Sequence, residues 1–214
     1  MIWLNNQNGA AQICTLYHQK VLDEFQGHIY GVVMGIAYGG EIESVAKLWK
    51  DRGTIYGYDT FEDLHPKHLA PEGDETRFEA TCMDSWYHRD VHGTDQLAYA
   101  YQREELDKQG LTNAILIKGE VHPKSCQDIP KIHYAFLDMD MPFSMDQGYK
   151  AVRDKIVPGG YLLLHDTQNI TTVGDWCKEE VLVKDKDMWI DEPNYDGQLL
   201  KVLKRKDHKL HVRV

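Results

Sequence analysis

Five short apolar runs, each followed by a polar stretch long enough for a helix, constrain this chain of 214 residues more than any other feature. The runs are 29–34 (IYGVVM), 54–58 (TIYGY), 114–117 (AILI), 134–137 (YAFL) and 161–164 (YLLL). They do not alternate apolar with polar. Strands of that kind are covered on both faces, as in a parallel sheet. The intervening stretches carry helical periodicity. In 41–50, Ile42, Val45, Ala46 and Trp49 share one stripe. Helices are also expected over 9–25, 94–108 and 144–155, the last halted by Val157-Pro158-Gly159-Gly160. Strand–helix alternation predicts an α/β fold, a Rossmann-like three-layer sandwich with right-handed crossovers. Two further strand-like runs, 187–190 and 198–203, flank the turn-rich segment 191–197. They predict a C-terminal antiparallel hairpin that completes a mostly parallel seven-stranded sheet.

The length suits one domain over 1–214, with 62–94 as an insertion. That insertion is rich in His, Pro, Asp and aromatics, and a connection so long reads as a lid or substrate loop. Its Trp86 and Tyr87 suit a flat or sugar-like ligand. Its pairs His65 with His68 and His88 with His92 read by default as solvated loop histidines.

The net charge of −10 argues against a nucleic-acid partner. Cys14, Cys82, Cys126 and Cys177 form no CxxC pair, so free thiols in a reducing compartment are expected. No basic, apolar leader and no membrane-length run is apparent, which predicts a cytoplasmic chain without a membrane partner. The sequence does not decide between a monomer and a homodimer.

The chemistry-bearing residues fall at the ends of the apolar runs. Gly35-Ile36-Ala37-Tyr38-Gly39-Gly40 follows the first run and opens a helix. Small residues there let backbone approach a ligand, and the helix start offers unpaired N–H groups. The pattern is not GxGxxG, which disfavours a dinucleotide. Asp59, 24 positions after Gly35, ends the second run and can accept from both hydroxyls of a ribose. Gly119 and Glu120 follow the third run, where an adenine lies in such a fold. Asp138 follows the fourth run, and His165 and Asp166 follow the fifth. Those two strand ends are neighbours in an open α/β sheet, so the three side chains converge. The bland alternative is that Asp140 and Asp166 cap the helices that follow.

In that order, Gly35-x-Ala37-x-Gly39-Gly40, Tyr56-Gly57-Tyr58-Asp59-Thr60-Phe61-Glu62, Lys118-Gly119, Leu137-Asp138-Met139-Asp140, Val157-Pro158-Gly159-Gly160-Tyr161 and His165-Asp166 resemble the macrocin O-methyltransferase (TylF-like) family. This is a branch of the class I S-adenosylmethionine-dependent methyltransferases that acts on sugar hydroxyls of natural products. The resemblance implies that Gly35, Ala37, Tyr38 and Gly39 hold the methionine part of the cofactor. It gives the ribose to Asp59, with Thr60 and Phe61 close by, and the adenine border to Gly119 and Glu120. It places a divalent metal, magnesium or a transition metal, on Asp138, His165 and Asp166, with Asp138 also against the cofactor. The chain departs from the family at Val33, where an acidic residue is usual, at Ala37 for a glycine, and at His165 for an aspartate. Oxygen donors suit magnesium, so a histidine there shifts preference toward manganese, iron or zinc.

The expected activity is methyl transfer from S-adenosylmethionine to a hydroxyl of a small molecule, such as a sugar or natural product. His165 is the expected general base, with Asp138 and Asp166 orienting it or holding the metal. Transfer to nitrogen or to a protein, a nicotinamide oxidoreductase, and a non-catalytic cofactor-binding protein are the competing readings.

Overall fold

A computed structural model describes residues 3–36, 39–61, 95–168, 170–192 and 200–207, with side chains from Ala10 in the first helix and from Tyr99 in the third. The lid, its aromatic and histidine residues, Cys82, and Ala37 and Tyr38 of the glycine loop lie outside the described residues.

The chain runs α1 (Trp3–Glu24), β1 (Ile29–Met34), α2 (Gly40–Trp49), β2 (Gly53–Asp59), α3 (Asp95–Lys108), β3 (Ala114–Lys118), β4 (Ile132–Leu137), α4 (Pro142–Val152), β5 (Ile156–Leu164), α5 (Thr171–Trp176), β6 (Trp189–Asp191) and β7 (Lys201–Arg205). After α5 the helix widens into a π-helical stretch, Cys177–Lys184. The strands form one seven-stranded sheet in the order β3-β2-β1-β4-β5-β7-β6. The first five are parallel, and β7 is antiparallel to both β5 and β6. The expected hairpin therefore exists, with its second strand inserted beside β5 and its first strand at the sheet edge.

Both faces of the sheet are covered. On one face α1, α2 and α3 pack Tyr17, Val21, Ile42, Trp49 and Leu106 against Val33, Tyr134 and Tyr161. On the other, α4, α5 and the π-helical stretch pack Met145, Tyr149, Val173, Trp176 and Val181 against Val32, Leu137 and Leu164. Alternate residues of one strand thus enter opposite cores, which is why the runs are apolar throughout. All of β4 is buried. The predicted α2 stripe, Ile42, Val45, Ala46 and Trp49, is the buried face of that helix.

One boundary differs from expectation. Val157-Pro158-Gly159-Gly160 does not precede β5 but lies inside it. The register against β4 slips between Ile132 and Tyr134, and Gly159 takes φ 79°. A proline and a left-handed glycine interrupt the ladder as a bulge without ending the strand.

Side chains from α2, the turn after it and β7 help to tie α1 down. Trp49 donates its indole N–H to the carbonyl of His18 at 3.1 Å. Arg52 donates to the carbonyls of Leu22 and Phe25, and Lys204 pairs with Glu24. Cys14, Cys126 and Cys177 are buried free thiols. Among the described residues no helix is long and apolar enough to cross a membrane.

Candidate active site

The parallel register ends four strands at one level. Met34 pairs with Tyr58 and with Leu137, and Leu137 pairs with Leu164. The hydrogen-bond ladder then continues past the strand ends. Gly35 N–H donates to Tyr58 O at 3.0 Å, Asp138 N–H to Met34 O at 2.8 Å, and His165 N–H to Leu137 O at 2.9 Å. Gly119 N–H reaches Asp59 O at 2.9 Å. Gly35, Asp59, Gly119, Asp138 and His165 therefore line one edge of the sheet, the carboxyl edge where open α/β sheets bind ligands.

The turn after β1 accepts only glycine at its ends. Gly35 has φ 81°, and a Cβ there would lie 1.7 Å from the Asp138 carbonyl oxygen. Gly39 has φ 78°, and its Cβ would lie 2.0 Å from Oε1 of the buried Gln102 on α3. Both values belong to the left-handed region, which glycine enters at little cost. Asp59 fastens this turn from the neighbouring strand. Its Oδ2 accepts the Ile36 N–H at 2.7 Å and its Oδ1 accepts the Phe61 N–H at 2.8 Å. The Phe61 ring is fully buried against Tyr99, so it braces the loop from within the core. What Phe61 presents at this edge is its backbone. Thr60 follows Asp59 directly and is half-buried, and Glu120 is exposed beside Gly119.

At the ends of β4 and β5 the predicted convergence is present. His165 Nδ1 lies 2.9 Å from Asp138 Oδ1 and 3.0 Å from Asp166 Oδ2. Asp140, read from sequence as a cap, also joins this group. Its carboxyl interacts with Asp138 and Asp166, and burial beside them raises it well above the usual carboxylate range. Burial likewise raises Asp138, against the opposing pull of His165. Burial alone would depress the His165 pKa, but the two adjacent carboxylates outweigh it and raise the imidazole to about 11. The two carboxylates therefore favour the protonated ring.

Backbone strain collects at the same edge. Among the described residues the non-glycine positions with positive φ are Phe61, Asp140 and Asp166, one after each of β2, β4 and β5. Each such conformation costs about 1–3 kcal/mol and persists where the surroundings impose it.

The donor set fits a divalent cation. Asp138, His165 and Asp166 each offer one atom, all within 4.8 Å of one another. His165 Nδ1 is buried and makes no well-aligned hydrogen bond, although two carboxylate oxygens crowd it. Two carboxylates and an imidazole suit a transition metal better than magnesium.

A second polar group lies close by in the core, under α1. Glu41, in the first turn of α2, accepts at Oε1 from His18 Nε2 at 2.7 Å and from the Tyr134 hydroxyl. Burial raises the Glu41 carboxyl, but His18, Tyr134 and Cys14 outweigh this and hold it below its ordinary value. Its field reaches Asp138. The sequence carried a signal for this residue. Glu41 lies four positions before Val45 and eight before Trp49, at the border of the buried stripe, where a charge calls for a partner.

No protein-family model and no curated protein sequence matches the chain. Solved structures do match it in fold. The O-methyltransferase NovP is 14% identical, with a TM-score of 0.71, over 92% of this chain and 79% of NovP. CalS11, a calicheamicin methyltransferase also described as a TDP-rhamnose 3'-O-methyltransferase, is 18% identical, with a TM-score of 0.70, over 94% of this chain and 80% of CalS11. A Streptococcus mutans protein in complex with SAH is 11% identical, with a TM-score of 0.59, over 92% of this chain and 97% of that protein. An rRNA methylase from Streptococcus thermophilus has the same fold at a TM-score of 0.56 and 14% identity, over 90% of this chain and 95% of that one. The chain shares the Rossmann-like fold of these methyltransferases.

Proposed function

We propose that this chain transfers a methyl group from S-adenosylmethionine to a hydroxyl of a small molecule, such as a sugar or a natural product. The observation that carries this reading is the common edge at which the Gly35 turn, Asp59 and the Asp138–His165–Asp166 group meet. One end of that edge suits a nucleoside joined to an amino acid, and the other suits a hydroxyl about to lose a proton.

In this reading the Gly35–Gly39 turn and the start of α2 receive the amino-acid part of the cofactor, and Asp59 takes the ribose. Gly119 and Glu120 border the base. The acceptor oxygen then lies in line with the methyl carbon and the sulfur, an alignment that can supply much of the rate. As the new C–O bond forms and the C–S bond breaks, the acceptor's proton leaves. Asp138 receives it, because burial has made that carboxylate more basic than usual. His165, already protonated between Asp138 and Asp166, balances the charge. The base role anticipated for the free imidazole thus passes to the Asp138–His165 pair. In place of the His165 proton, Asp138, a neutral His165 and Asp166 would hold a divalent cation, which would acidify the acceptor hydroxyl. The net charge of −10 favours a neutral or sugar-like acceptor over a polyphosphate backbone.

The test is transfer of label from methyl-labelled S-adenosylmethionine to a panel of acceptors. Label in a hydroxyl of a sugar or phenolic acceptor is the expected result. Label only in amines, protein or RNA would overturn the O-methyl assignment. Failure to bind the cofactor would overturn the whole reading.

A further inference from the structure

The Glu41 carboxylate has no part in the reading above, yet it lies buried beside the site. Burying a carboxylate is costly, and such groups persist where partners repay the cost. Two donors, His18 Nε2 and the Tyr134 hydroxyl, meet at the single atom Oε1, and the Cys14 thiol hydrogen-bonds the same carboxylate. His18 and Tyr134 are fully buried, while the Glu41 side chain keeps 16% exposure. Glu41 also stands two residues after Gly39, where the chain turns out of the loop and α2 begins.

Asp59, Asp138 and Asp166 at this edge already have partners within the protein. Asp59 holds the Ile36 and Phe61 N–H groups, and Asp138 is paired with His165. β1 supplies none, since Val32, Val33 and Met34 are all buried and apolar. A zwitterionic amino acid seated on the turn would set its carboxylate toward the N–H groups at the start of α2. Its ammonium then needs an anion within about a residue's reach, in a site shielded from water.

We propose that Glu41 Oε2 is the anion that takes the α-ammonium of the cofactor's amino-acid part, with His18 and Tyr134 fixing the carboxylate through Oε1. The assignment rests on the S-adenosylmethionine reading and adds the recognition of one group within it. It also accounts for a carboxylate kept charged inside a core of aliphatic and aromatic side chains. The bland alternative is that Glu41 only fastens α1 and β4 to α2.

Calorimetry on the full chain separates these. The ligands are S-adenosylhomocysteine, its deamino analogue, and 5'-methylthioadenosine, which lacks the amino-acid part altogether. The wild-type chain is expected to bind S-adenosylhomocysteine at least tenfold more tightly than the deamino analogue. Glu41→Gln should erase that difference and leave 5'-methylthioadenosine affinity within about twofold. Equal weakening of all three ligands would assign Glu41 to fold maintenance and overturn the inference, as would an undiminished preference for the amino group. If Glu41→Gln does not fold, Glu41→Asp is read in the same way, because it withdraws the charge by one methylene. Tight 5'-methylthioadenosine binding with no amino-group preference in the wild type would sink this inference and leave the nucleoside reading standing. If none of the three ligands binds, both fall.

Discussion

In the proposed reaction, His165 is the residue on which the chemistry turns. It sits between Asp138 and Asp166, and its ring is the cation that lets those carboxylates and Asp140 share one buried corner. His165→Ala should lower methyl transfer by about 100-fold or more. S-adenosylhomocysteine affinity should stay within about threefold, because the nucleoside and amino-acid contacts lie elsewhere on the edge. Parallel kinetics and calorimetry check this, and an equal loss of binding and rate would contradict it. A second histidine governs acid stability. His133 is buried in β4, accepts the Tyr30 N–H at Nδ1, and packs against Phe25. Burial, with help from Lys131 and His28, depresses its pKa from 6.5 to about 4. The folded state therefore prefers the neutral ring. Its stabilising contribution is complete above pH 6.5 and is lost as pH falls toward 4. Urea unfolding should show a loss of order 3 kcal/mol across that window. His133→Asn keeps an acceptor for Tyr30 without the titration and should flatten it. Asp138, His165, Asp166 and Asp59 were legible as candidates from their places directly after apolar runs. Asp140 and Glu41 were not read as site residues. The first looked like a cap, and the spacing of the second to Val45 and Trp49 marks its face of α2 but not the partners that α1 and β4 bring to it.

At the scale of elements, the turn after β1 and the seating of α1 decide whether the site exists. Gly35→Ala places a methyl group on the Asp138 carbonyl and imposes a left-handed φ on alanine. It should cost upward of about 2 kcal/mol in unfolding free energy and abolish cofactor binding. A variant with wild-type stability and affinity would show that the turn is misplaced here. Trp49 caps the same assembly, closing over β1 and β2 while its indole holds α1. Trp49→Ala should cost about 3–5 kcal/mol. Most helix and strand identities were legible because continuous apolar runs alternate with stretches of helical period. The β5 boundary was not, since Pro158-Gly159-Gly160 is a breaker by local rules and a bulge only once β4 is alongside it. The π-helical stretch after α5 left no mark that local periodicity could register.

On the scale of the molecule, alternation of runs and helices specified a parallel sheet but not its strand order. The order β3-β2-β1-β4-β5-β7-β6 sets β1 and β4 side by side at the point where the chain reverses direction across the sheet. That juxtaposition turns scattered residues into one site. Gly35, Asp59, Asp138 and His165 are far apart in the chain, yet they adjoin through single hydrogen bonds past the strand ends. The decisive measurement is calorimetric titration of the chain and its Asp59→Ala variant with S-adenosylhomocysteine and, separately, NAD. One site for S-adenosylhomocysteine, weakened at least tenfold in Asp59→Ala and silent to NAD, is the result this account predicts. Binding of NAD alone, or S-adenosylhomocysteine binding that ignores the loss of Asp59, would contradict it.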